Sequence, residues 1–243
     1  LDALGRRKNP LALPTLLNAL SLDDEPCVVN AADAIARIGS ELDPSAQTLL
    51  LNALEGPDNQ RRAVIQAFTR LRLADRNDAI QQCQQDDNPL VAGAARAHAV
   101  RVSQQIDALD PLISQLRDIN PGRRRAAVID LGDAGRMEAL PALSRCPVSM
   151  PLRAKSAFQI AVRQDDGVDS AAIPWLEQLL QDDPRTLDLD NVPRTDAEPD
   201  SVRDGLQHRD EARQYAAAVA LMGMAPAPQL SLIDALQRDL GSD

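Results

Sequence analysis

Arginine is the residue type through which this chain can do most. Arg61-Arg62 and Arg123-Arg124-Arg125 open helical segments, and Arg96, Arg101, Arg153, Lys155 and Arg213 add cations on similar segments. A guanidinium grips a carboxylate through a planar two-bond fork. Two uses follow: holding the carboxylates of a ligand along one face, or pairing with the chain's own acidic turns. Asp33, Asp130 and Asp133 sit on or just past helices, where they can meet a cationic ligand group or a neighbouring repeat's arginine. His98, among alanines, is either a proton donor or a core histidine; His208 is expected to be exposed. Any of Cys27, Cys83 and Cys146 becomes a nucleophile if a base or a helix N-terminus activates it. Cys27, directly after Pro26, is the best placed, while Cys83 and Cys146 occupy core positions. Tyr215 is the single tyrosine and can stack on, or hydrogen-bond, a flat ligand; Trp175 fills core.

Other chemistry is missing from the pattern. No Gly-rich phosphate loop, Ser/His/Asp arrangement or zinc signature is present, which argues against self-sufficient catalysis. Asp188-Leu189-Asp190-Asn191 lacks the glycine and closing glutamate of a calcium loop. The catalytic residues are therefore unknown and no metal site is expected. With 26 Lys and Arg against 36 Asp and Glu, the formal charge is −10. That disfavours nucleic acid and anionic membranes. No apolar run reaches the roughly 18 residues of a spanning helix, no secretory signal opens the chain, and three widely spaced cysteines suit a reducing compartment. A cytoplasmic protein is expected.

The elements that position these residues repeat. Pro26, Pro57, Pro89, Pro121, Pro151 and Pro184 recur every 30 to 33 residues. Six positions after the first five stand Ala32, Ala63, Ala95, Ala127 and Ala157. Proline suits a helix's first turn, and a small residue at a fixed place lets helices approach closely. Each repeat reads as a first helix (A), a polar turn and a second helix (B). A helices are expected at Leu13–Leu22, Ala46–Leu54, Asp110–Arg117, Leu140–Cys146 and Ile173–Gln181. B helices are expected at Val28–Ile38, Arg61–Leu71, Leu90–Val102, Arg123–Leu131, Arg153–Val162 and Glu211–Met222. Gly39 and Gly132 are read as left-handed helix ends. One pair cannot bury its own apolar face, so stacking predicts an all-α solenoid of about six to seven repeats with a period of about 31–32 residues. The four aromatics among 243 residues fit helices better than strands. A single domain over 1–243 is expected, with both ends cut mid-repeat. A polar, acidic insertion at about 184–210 is expected to project from one face.

The B helices Val28–Gly39, Arg123–Gly132 and Ala212–Gly223 resemble the alanine-rich HEAT-like repeats named after phycobilisome lyases. Asp107–Ile113 and Arg136–Leu143 match the second half of that repeat. Asn30 and Gly93 stand where the repeat usually has arginine. The resemblance implies a lyase or chaperone-like subunit that helps attach a linear tetrapyrrole (bilin) to a cysteine of an apo-phycobiliprotein. It implies a carbon–sulfur lyase needing a second HEAT-repeat subunit, with the bilin as substrate and no tightly bound cofactor. On that reading Arg62, Arg96, Arg124, Lys155 and Arg213 meet the bilin's propionates, Asp130 its pyrrole nitrogens, and His98 and Tyr215 assist. The other reading is a non-catalytic scaffold that binds another protein through the same face.

Overall fold

The computed structural model describes all residues except 21, 23, 40–47, 49, 74–76, 164–166 and 241–243. The chain forms two compact units, 1–114 with 129–139, and 115–128 with 140–243.

The first unit holds α1 (Asp2–Arg6), α2 (Leu13–Ala19), α3 (Glu25–Ile38), α4 (Asp58–Leu71), α5 (Asn77–Gln82), α6 (Pro89–Arg101), α7 (Leu109–Ser114) and the last turns of α8 (Pro121–Ala134). The second holds the start of α8, then α9 (Leu140–Arg145), α10 (Met150–Ala161), α11 (Ile173–Gln181), α12 (Pro199–Leu206), α13 (Glu211–Met222) and α14 (Pro226–Leu240). The expected A helix at 46–54 lies largely outside the described residues; its end runs into the 3-10 turn Ala53–Glu55.

The polar turns prove to be caps. Asp24 accepts the Cys27 amide at 3.0 Å, Asn88 that of Leu90 at 2.9 Å, Asn120 that of Gly122 at 2.8 Å and Asp210 that of Ala212 at 3.0 Å. Each answers a backbone donor that the first helical turn leaves open. Proline near the start of α3 and α6 costs nothing there, because its missing N–H has no intrahelical acceptor. A second device precedes the A helices. The 3-10 turns Pro10–Ala12, Ile106–Ala108, Met137–Ala139 and Ser170–Ala172 each run directly into one, and each ends on a buried alanine.

The alanine register packs the B helices. Ala32, Ala63, Ala95, Ala127 and Ala157 are all buried. In the first unit Ala32, Ala63 and Ala95 join Leu16, Ile35, Val64, Phe68 and Val91 in one apolar cluster. A close helix approach is at Gly5, where a Cβ would stand 2.6 Å from the Ala34 Cα and 2.9 Å from its Cβ. Gly5→Ala therefore forces α1 off α3, and urea unfolding should show a loss of about 1–3 kcal/mol; a stability unchanged from wild type would refute that contact.

Several bounds differ from expectation. Gly132 does not end its helix: α8 continues to Ala134, and the left-handed residue is Gly135 at φ 66°. Gly132 is instead a buried small residue within the helix. α10 stops at Ala161, because Val162 turns extended and pairs with Val168 in a two-residue antiparallel ribbon, β1 (Val162–Arg163) with β2 (Gly167–Val168). Part of the polar stretch at 184–210 is ordered as α12. Its Val202 is fully buried, and a Cβ on Gly205 would touch Ala217 of α13 at 2.6 Å. Two apolar residues four apart, Val202 and Leu206, suffice to seat it against Met224 and Leu221.

Candidate functional site

In the first unit the cations of α4 form an acid–base seam. Arg62, Gln66 and Arg70 lie four apart and so share one helix face. Arg62 grips Asp130 with both terminal nitrogens, at 2.7 and 3.0 Å, and also donates to the Leu90 carbonyl of α6. Gln66 donates to the same carboxylate at 3.2 Å. Arg70 forms a two-bond fork with Asp133, at 2.8 and 2.9 Å, and reaches Asp33 of α3. Asp130 and Asp133 are buried. Burial pushes the Asp130 carboxyl upward, and Arg62 pulls it back. Arg61 bridges Asp86 in the next turn and Asp58 in its own. Arg96 donates to the Gln84 carbonyl at 3.0 Å.

His98 is wholly buried, its Nδ1 3.3 Å from Thr69 Oγ1. That hydroxyl already donates to the Ile65 carbonyl at 2.8 Å, so the ring nitrogen is the donor between them. Burial lowers the imidazole to about 4. An unfolded chain takes up this proton near pH 6.5, whereas the folded chain resists it to about pH 4. The neutral ring's stabilisation is complete above the unfolded value and is lost as pH falls through the folded one. About 2 kcal/mol should be gone by pH 5. Urea unfolding of wild type and His98→Gln at pH 8 and pH 5 tests this: the wild type should lose that much more, and equal losses would contradict it.

The second unit uses arginine to finish helices. Arg153 is fully buried. It donates Nε to the Val148 carbonyl at 2.7 Å, Nη1 to that of Ser144 at 2.9 Å, and Nη2 to Asp182 and to the Tyr215 hydroxyl. It thereby answers the Ser144 carbonyl left open at the end of α9 and the Val148 carbonyl in the turn that follows. Arg124 repeats the pattern, donating to the Asp118 carbonyl at 2.8 Å, that of Ile119 at 3.2 Å, and Asp210. Arg125 pairs with Glu211. Tyr215 donates to Asp182 at 3.0 Å, and the Arg153 guanidinium stands 5.7 Å from its ring centre. Burial, with Asp182 beside it, pushes the phenol upward, so it remains a donor. Lys155 and Arg213 are exposed and make no ion pair among the described residues.

The thiols are not primed. Partial burial and the Asp24 carboxylate push Cys27 upward, outweighing its place at a helix start. Cys83 is raised by burial, and Cys146, fully buried, is pushed up to about 12. Among the described residues no cluster of His, Cys, Asp and Glu could hold a metal.

Of the residues singled out in the sequence, then, Arg62 and Asp130 meet each other, Arg124 and Arg96 serve neighbouring turns, and Tyr215 joins Arg153. Arg70 has no signal in its immediate sequence that marks it out, and Arg153, visible there as a cation on a helix, is wholly buried.

No family model matches the chain. The phycocyanin operon protein Y of Pseudanabaena tenuis is 30% identical over 194 residues, which is 77% of this chain and 45% of that protein. The bilin biosynthesis protein PecE of Nostoc sp. is 31% identical over 153 residues, 62% of this chain and 59% of PecE. These likenesses are to proteins of phycocyanin and bilin metabolism. The chain spans about half to three fifths of the length of these curated relatives. The solved complex of CpcE and CpcF of phycocyanin lyase from Nostoc sp. has the same fold, with a TM-score of 0.61 over 74% of this chain and 71% of that one, at 21% identity. At that identity the likeness is one of fold.

Proposed function

We propose that this chain is a subunit of a bilin lyase, or a chaperone-like partner of one, that helps attach a linear tetrapyrrole to a cysteine of an apo-phycobiliprotein. The observation that carries the reading is the 31% identity to a bilin biosynthesis protein across 153 residues. The site chemistry agrees with it. Cys27, Cys83 and Cys146 are all shifted away from the thiolate, so the reacting thiol belongs to the apo-protein. The contribution of this chain is positioning. A second HEAT-repeat subunit completes the assembly, and the bilin is a passing substrate with no resident cofactor. Lys155 and Arg213 are exposed cations open to a propionate or an acidic partner. Arg62, Arg124 and Asp130 act through the shape they maintain, with Arg96, His98 and Tyr215 in support. On this reading the chain works in the cytoplasm, which its free thiols support; among the described residues no helix is long and apolar enough to cross a membrane.

The scaffold reading draws on the internal pairing of Arg62, Arg70, Arg124 and Arg153, which takes those cations out of ligand binding. Co-production with an apo-phycobiliprotein, a bilin source and the second subunit separates the two. The lyase reading expects pigment that stays with the apo-protein through denaturing electrophoresis only when this chain is present. Pigment-free capture of the same partners, with no chain-dependent attachment, would leave the scaffold.

A further inference from the structure

We propose that the C-terminal ends of α4, α6 and α8 in the first unit form an oxyanion site, in which Arg72, Arg101 and Arg136 receive one carboxylate arm of a larger ligand. The three arginines line a cavity of about 150 Å³. That is room for a carboxylate group and far too little for a tetrapyrrole. Arg101 lies over Gly135: a Cβ there would stand 1.8 Å from its Nη1 and 2.9 Å from its Cζ. Gly135 also needs its left-handed φ of 66°, so glycine serves both the turn and the guanidinium. Arg136 donates Nη2 to Gln104 Oε1 at 3.3 Å, while its Nε is buried with no partner.

Among the described residues no carboxylate lies within ion-pair distance of any of the three. This sets them apart from Arg62, Arg70, Arg124, Arg125 and Arg153, each of which ends on an acid. Burial, then Arg72 and Arg136, work against the charge on Arg101, and Asp133 opposes them. Three cations around one small space repel one another, and an anion with two oxygens relieves this. The identity of the arm rests on the proposed function, since a bilin carries two propionates.

Calorimetric titration of the whole chain with succinate and with inorganic phosphate, followed by a bilin as free diacid and as dimethyl ester, tests the site. Succinate should bind, and Arg72→Gln and Arg136→Gln should each weaken it about tenfold or more. Gly135→Ala should do the same by displacing Arg101, while Arg238→Gln on α14 should leave binding unchanged. Thermal unfolding of each variant confirms that it folds, and Arg72→Gln alters an exposed side chain. Succinate binding that is absent, or indifferent to Arg72 and Arg136, overturns the site, as does a preference for phosphate. The bilin arm separates the two claims. Arginine-dependent succinate binding with no binding of either bilin form keeps the site and removes the lyase reading. Diacid and ester binding equally well keeps that reading and removes the site.

Discussion

Arg153→Met is expected to lower stability by about 4 kcal/mol, which for a chain of this size moves the thermal midpoint down by roughly 10 °C. The side chain is wholly buried, and all three of its nitrogens are engaged. Its removal leaves the Ser144 and Val148 carbonyls without their donor and Asp182 with Tyr215 as its remaining side-chain partner. Methionine fills the volume but answers none of these groups. Arg153→Lys keeps the charge and loses the fork, so it should recover less than half of the deficit. Asp182→Asn, at a carboxylate about one third exposed, should cost only about 1 kcal/mol. The decisive comparison is the order of the three variants in urea unfolding; an Arg153→Met loss below that of Asp182→Asn would show that the carbonyls, and not the acid, had been misjudged.

The second large effect belongs to Arg62 and Asp130. Asp130→Leu or Arg62→Met alone should each cost about 3 kcal/mol, because each strands a charge in a dry setting. The double variant should cost less than the two singles together, by about 2 kcal/mol or more. Additivity within about 0.5 kcal/mol would mean that the pair is not coupled. Arg70, two turns further along α4, and Asp133, one turn further along α8, provide an internal comparison, since that fork should respond in the same way.

The contrast between these residues shows what the sequence reveals. The proline and alanine registers announce the helices because helix starts and helix crossings depend on residues close together in the chain. Ile173–Gln181 and Glu211–Met222 follow from that periodicity with unchanged bounds. Gly132 and Gly135 show its limit: either glycine can end a helix, and the turn that decides belongs to Arg101, 34 residues earlier. The arginines are visible by type, but their partners are 63 to 86 residues away in the cases of Arg70, Arg62, Arg124 and Arg125. No local rule links such positions. Arg72, Arg101 and Arg136 lie 29 and 35 residues apart, close to the repeat period, and a search for arginines recurring just past the B helices would have grouped them.

The seam on α4 has a consequence for how the first unit comes apart. In an array of stacked repeats, stability is ordinarily a sum of each repeat's own contribution and its contact with the next one along. Here Arg62 and Arg70 hold acids two periods further on, and Arg70 also holds one period back. Such second-neighbour links penalise any state in which one repeat has frayed while its flanks stay folded. The first unit should therefore melt as a block, its amides from α3 to α6 exchanging with solvent at a common rate instead of in a gradient from the end.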